Sequence, residues 1–252
     1  MNDWLRPLLD FIFPPRCVHC GQLGAYLCAR CRAEAPRIGP DICIRCGNPL
    51  TTRGLCQRCQ HHPPESLQGI RGVCFYKGPI AKSLRALKYH GQQALAPILA
   101  TYLIDYMRAH PHHFDALVPV PLHPEKRAER GFNQSELLAA SVARALQIPL
   151  QTQWLQRIRY TRPQAKLSRS QRLQNVVAAF APAPGLKLKN QSILIIDDVA
   201  TTGATLQACA QALEQAGATE IWALTVARAH ITATQTSQDP VDAFLIEETP
   251  QA

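Results

Sequence analysis

The sequence predicts an α/β protein, a mostly parallel sheet flanked by helices with a small metal-stapled module at its N-terminal side. Three observations carry this. Short aliphatic runs alternate with helix-length amphipathic segments from residue 72 onward, which argues for strands joined by helical crossovers. Eight of the ten cysteines are confined to residues 17–59, in four Cys-x-x-Cys pairs. At 252 residues, the chain is long enough for one sizeable core and an accessory module.

Taken in order, Trp4–Phe13 is apolar but short, contains Asp10, and runs into the cysteines without a small-residue cleavage site. It is expected to form a short amphipathic helix docked on its own domain; a membrane-surface anchor is the alternative, and a signal peptide is disfavoured. No stretch approaches the roughly 20 apolar residues of a membrane span, so stable membrane insertion is not expected.

The pairs are Cys17/Cys20, Cys28/Cys31, Cys43/Cys46 and Cys56/Cys59. Two intervening residues let both sulfurs of a knuckle face one tetrahedral ion, and two knuckles complete it. Gly21 and Gly47 follow the second cysteine of a pair, where a zinc knuckle turns with positive φ. The expected sites are sequential, Cys17/Cys20/Cys28/Cys31 and Cys43/Cys46/Cys56/Cys59, with cross-bracing as the alternative. Two structural Zn²⁺ ions follow, with no open position for catalysis. A cytoplasmic location is expected, since reducing compartments keep thiols free.

Pro63-Pro64-Glu65-Ser66 reads as a linker, dividing residues 1–64 from an α/β domain over 65–234, with 235–252 as a tail that Ala243–Ile246 could turn into an edge strand. Within the domain the patterns predict strand 72–77, helices 79–89 and 94–109, strand 116–120, helix 134–146, a short strand near 153–158, strand 192–196, helix 205–216 and strand 220–228. Cys74 and Cys209 fall on apolar elements and read as small core residues. His110, His112 and His113, interrupted by Pro111, read as a solvated turn.

The chemistry concentrates at Ile193-Leu194-Ile195-Ile196-Asp197-Asp198-Val199-Ala200-Thr201-Thr202-Gly203-Ala204-Thr205. A buried strand leads here to two carboxylates and then to a loop at a helix N-terminus, where free N–H groups favour an anion. Adjacent aspartates repel unless they are used. Sugar hydroxyls, with or without a divalent cation, would use them, and no Lys follows Gly203 as a Walker A loop requires. A second strand ends in Val118-Pro119-Val120-Pro121-Leu122-His123-Pro124, a stiff loop facing the same crevice, followed by Lys126, Arg127 and Arg130. Arginine forks suit phosphate oxygens, whereas Asn133 could either cap the next helix or contact ligand.

Net charge is +9 and unevenly placed: residues 120–175 carry ten Lys and Arg against three acids, and residues 176–252 carry three against eight. The basic middle suits pyrophosphate, a nucleic-acid backbone, or both. Its Arg159–Arg172 stretch reads as a lid over an anionic substrate, a nucleic-acid segment or a solvated connection. Arg30, Arg32, Arg37, Arg45, Arg53 and Arg58 make the cysteine module a second possible backbone-binding surface.

The aliphatic strand, Asp-Asp pair and Thr-Thr-Gly-x-Thr loop resemble the phosphoribosyl-diphosphate (PRPP) signature of type I phosphoribosyltransferases. Together with Phe13-Pro14-Pro15-Arg16-Cys17, Leu87-Lys88-Tyr89-His90-Gly91, the Pro119–Pro124 loop, Arg130–Ser135 and Pro163-Gln164, they resemble the ComF family over roughly residues 11–229. That resemblance implies a double zinc ribbon on a phosphoribosyltransferase-type domain. It implies ribose 2′ and 3′ hydroxyls, and catalysis if any, at Asp197 and Asp198. The 5′-phosphate would lie at Thr201, Thr202, Gly203, Ala204 and Thr205, with Pro121, Lys88, Arg127 and Arg130 completing a site for PRPP with Mg²⁺. Ala200 departs from relatives that carry a larger residue there. The implied role is handling or uptake of single-stranded DNA in natural transformation, with DNA-uptake proteins as partners. The alternative is a Mg²⁺-dependent phosphoribosyltransferase, although no acceptor pocket is identifiable. Oligomeric state is left open.

Overall fold

The computed structural model describes residues 14–159 and 179–229. The expectations for the Trp4–Phe13 helix, for the lid beyond Arg159 and for the tail lie outside these residues. Two short helices, α1 (Ala29–Ala33) and α2 (Gln57–His61), belong to the cysteine module. The domain follows as β1 (Gly69–Phe75), α3 (Gly78–Tyr89), α4 (Leu95–Ala109), β2 (Ala116–Pro119), α5 (Pro124–Arg130), α6 (Gln134–Leu146), β3 (Leu155–Arg157), β4 (Phe180–Pro182), β5 (Ser192–Ala200), α7 (Ala204–Gln215) and β6 (Glu220–Arg228).

The main sheet has the order β1-β6-β5-β2, and every pair in it is parallel, as the alternating pattern predicts. Its central strand β5 is covered on both faces. Leu194 and Ile196 join the core formed with α3, α4 and α6, while Ile193 and Ile195 join the core formed with α7, β3 and β4. Each such fully buried aliphatic contributes roughly 1.5–3 kcal/mol. Cys74 and Cys209 lie in these cores as expected, and burial pushes the Cys74 thiol up to about 11.

Three elements differ from expectation. Strand β1 begins at Gly69 rather than 72, because Gly69, Ile70 and Arg71 pair with Trp222, Ala223 and Leu224. Helix α5 was not anticipated, since none of its residues is buried and no apolar stripe marks it. Its signals are Pro124 at the first turn and Gly131 just past the end at φ 79°. Strand β4 pairs antiparallel with β3, which brings Ile158 and Ala179 together at 2.8 Å.

Both sheet edges are closed. The stretch between the two cysteine knuckle sets lies along β1, with Ile38 N donating to Val73 O at 2.9 Å, Ile70 N to Arg45 O at 2.8 Å and Phe75 N to Pro36 O at 2.8 Å. Across the sheet, Leu117 N donates to Pro149 O at 2.8 Å. The module thereby covers an edge that would otherwise invite pairing with other chains. Among the described residues no helix is long and apolar enough to cross a membrane.

Candidate functional site

Strand β5 continues through the aspartates to Ala200, pairing Asp197 with Thr225 and Ala200 with Arg228. The carboxylates therefore sit on a rigid strand at its C-terminal end rather than on the loop beyond it. Asp197 and Asp198 are 8% and 3% exposed. Asp197 Oδ1 accepts from Ser135 Oγ at 2.7 Å and from Asp198 N at 2.9 Å. Asp198 is ion-paired with Lys88 Nζ and accepts from Gln134 Nε2 at 3.4 Å. Burial, reinforced by the Asp198 charge, pushes the Asp197 carboxyl up to about 7, with Lys88 and the Ser135 hydroxyl opposing it. Burial works against the Lys88 charge, but Asp198 and Asp197 outweigh it and hold the ammonium protonated more firmly than usual.

The start of α6 supplies this network. Asn133 caps the helix, its Oδ1 accepting from Ser135 N at 3.0 Å, while its Nδ2 donates to Val120 O at 3.0 Å. That brace ties α6 to the end of β2 and points Gln134 and Ser135 at the carboxylates. Sequence reasoning named this stretch only for capping and resemblance; two polar residues opening an otherwise apolar helix were the signal.

The loop Thr201–Thr205 turns at Gly203, whose φ is 82° and whose hypothetical Cβ would lie 2.6 Å from Ile70 Cδ1. The left-handed conformation is what favours glycine there. The N-cap of helix α7 is Gly203, which has no side chain to take the first-turn N–H groups, and a helix N-terminus of this kind favours an anion. Thr202 Oγ1 accepts from Ala204 N at 3.3 Å, and Thr202 O accepts from Arg58 Nη2 at 2.8 Å. The sequence marked Arg58 only as part of a possible nucleic-acid surface, not as a partner of this loop.

Pro121 lies in the connection between β2 and α5. Arg127 Nη1 donates to Glu136 Oε1 at 2.6 Å, and Arg130 donates to Gln134 Oε1, so Arg130 reaches Asp198 through one intermediary. The Arg130 guanidinium also lies 5.7 Å from the Tyr89 ring centroid, and Tyr89 is 56% exposed.

The cysteines converge sequentially, with the sulfurs of Cys17, Cys20, Cys28 and Cys31 within 4.8 Å of one another, and those of Cys43, Cys46, Cys56 and Cys59 likewise. The Cys20–Cys28 and Cys46–Cys56 sulfurs are 3.7 and 3.6 Å apart. A tetrahedral zinc with ~2.3 Å bonds needs sulfurs about 3.8 Å apart, so both donor sets fit that ion. Gly21 and Gly47 turn at φ 77° and 70°. Burial pushes the Cys17 and Cys43 thiols up, but backbone N–H groups outweigh it and bring both down to about 6. Among the described residues, no metal-capable group includes His110, His112 or His113; His112 Nε2 instead meets Glu220 Oε1 at 3.0 Å.

The two clusters are packed differently. Cys17, Cys28 and Cys31 belong to the main core, whereas Cys43, Cys46 and Cys59 form a cluster of their own against Leu50 and Cys56. With no aliphatic core, the second ribbon depends on its metal. Stoichiometric chelation is expected to raise proteolysis between residues 43 and 59 before the domain loses its near-UV signal; simultaneous loss would contradict this.

Several of the module's arginines reach the domain or the linker. Arg32 Nη2 donates to Thr101 Oγ1 at 3.3 Å, Arg37 lies 4.7 Å from the Tyr102 ring centroid, and Arg45 Nη2 donates to Pro64 O at 2.6 Å. With Arg58 on Thr202, these side chains tie the module to the domain.

Comparison with known proteins agrees with this architecture. A double zinc ribbon domain family matches residues 8–60, and a phosphoribosyl transferase domain family matches residues 133–251. "Competence protein F" of Haemophilus influenzae is 30% identical over 85% of this chain and 97% of its own length. "DNA utilization protein YhgH" of Salmonella typhimurium is 33% identical over 79% of this chain and 89% of its own. A crystal structure of an adenine phosphoribosyltransferase covers 56% of this chain and 74% of its own, at 14% identity and a TM-score of 0.35.

Proposed function

The chain belongs to the ComF family, and on that premise we propose that it binds PRPP with Mg²⁺ at the Asp197-Asp198 pair and the Thr201–Thr205 loop, in the service of handling single-stranded DNA during uptake. One observation supports this reading above others: two buried carboxylates near the C-terminal end of a parallel strand are followed by a helix N-terminus whose N-cap is glycine. Asp197 and Asp198 would hold the ribose hydroxyls. The loop amides and threonine hydroxyls would hold the 5′-phosphate, and Arg130 would face the pyrophosphate. Mg²⁺, when bound, would neutralise pyrophosphate charge. The residues fit such a ligand, because a carboxyl pushed to about 7 is easily ionised by a nearby cation. Each of the two cysteine clusters would hold one structural Zn²⁺. The cytoplasm is the compartment that keeps these thiols reduced.

The relatives' names, competence and DNA utilization, support the DNA part. On this chain we place strand contact at α5 and Tyr89, where Lys126 and Arg127 are exposed on the helix whose Arg130 lies 5.7 Å from the exposed Tyr89 ring. Base stacking on a ring contributes about 1–3 kcal/mol. Tyr89→Ala is therefore expected to weaken binding of an oligothymidylate roughly 5- to 150-fold, with affinity falling steeply as salt rises. Flat salt dependence would remove the electrostatic basis.

A phosphoribosyl-transfer reaction is the second reading, favoured by the rigid placement of both carboxylates against Lys88. Titration calorimetry with PRPP and Mg²⁺, for wild type and for Asp197→Asn with Asp198→Asn, tests the site. Binding that survives both substitutions would falsify the assignment. Pyrophosphate release on adding nucleobases would establish transfer.

A further inference from the structure

The second cysteine cluster touches the phosphate loop by two routes, and the first cluster by none among the described residues. Arg58, on α2 between ligands Cys56 and Cys59, donates from Nη2 to the carbonyl of Thr202 at 2.8 Å. Gly47, in the knuckle of Cys43 and Cys46, lies so close to Ile70 that a Cβ there would sit 2.3 Å from Ile70 O. Ile70 in turn packs its Cδ1 under Gly203. The knuckle, β1 and the loop thus form one contiguous stack.

Resting on the PRPP reading, we propose that the metal-loaded Cys43/Cys46/Cys56/Cys59 cluster is, through Arg58, the positioning element of the phosphate loop. Arg58 is a positioning residue; it acts on the ligand through the Thr202 peptide. The first cluster serves docking alone, through Arg32 and the core that Cys31 shares with α4.

Arg58→Ala, in the full metal-loaded chain, is expected to weaken PRPP–Mg²⁺ binding about tenfold, the size of one charge-assisted hydrogen bond. Two zinc per chain and the unfolding midpoint are expected to be retained. Amide exchange at Thr202–Thr205 should accelerate without ligand, Arg58→Lys should recover part of both effects, and Arg30→Ala should change neither. Unchanged exchange and affinity in Arg58→Ala would overturn the coupling. If wild type binds no PRPP, the ligand reading fails, and the exchange measurement still decides the clasp.

Discussion

Lys88→Met is expected to destabilise the protein by about 3–5 kcal/mol at pH 8, read as a lower midpoint in urea unfolding. The Lys88 side chain is 22% exposed and its partner Asp198 only 4%. Removing the ammonium leaves Asp198 buried without its cation and adjacent to a second buried carboxyl, Asp197, which accepts from the Ser135 hydroxyl and the Asp198 amide. Replacing the ion pair on both sides is a different matter, because no uncompensated charge is left behind. The double variant Lys88→Met with Asp198→Asn is accordingly expected to recover most of the loss. A single-variant loss below about 1 kcal/mol would place the pair among exposed salt bridges. The same pair bears on function: Lys88 holds the Asp198 carboxylate in place before any ligand arrives, while burial pushes the Asp197 carboxyl up.

What the sequence made legible follows from which signals survive without packing. The four Cys-x-x-Cys pairs fix ligand geometry within a few residues, and their sulfurs converge as the spacing requires. Ile193–Ile196 reads as a doubly covered strand because every residue is aliphatic, and the parallel sheet follows from its alternation with helices. By contrast, α5 presents no apolar face and so leaves nothing for periodicity to register. The aspartates lie inside β5 because β6 extends beside it to Arg228, a pairing 28 or more residues away in sequence that no local pattern encodes. The contacts of the module's arginines are hidden for the same reason: charge counting reads Arg32, Arg45 and Arg58 as a possible nucleic-acid surface, and only the fold brings Thr101, Pro64 and Thr202 to them as acceptors.

Asp197→Asn is expected to stabilise the fold at pH 8 while abolishing the pH dependence of ligand binding. Burial first, and the Asp198 charge second, push the Asp197 carboxyl from 3.8 up to about 7. The folded state therefore holds an extra proton between roughly pH 4 and pH 7, and stability falls as pH rises through that window, with the full penalty present above about pH 7. Asparagine keeps an oxygen for Ser135 and for the Asp198 amide but carries no charge. The gain is expected to be on the order of 2–4 kcal/mol at pH 8 and to vanish near pH 4, measured by urea unfolding at both. For the wild type, a ligand that takes the ionised carboxylate must expel that proton. PRPP–Mg²⁺ affinity should then rise by up to about tenfold per pH unit between pH 5 and 7 and level off above, with close to one proton released at pH 6. Calorimetry in two buffers of different ionisation enthalpy reads that release directly. Equal stability of variant and wild type at pH 8, or binding without proton release at pH 6, would show that Asp197 is already ionised in the empty site. The group that spares the fold a buried charge is thus the one that must give up its proton for ligand to enter, and stability and binding at this position are set against each other by the same carboxyl.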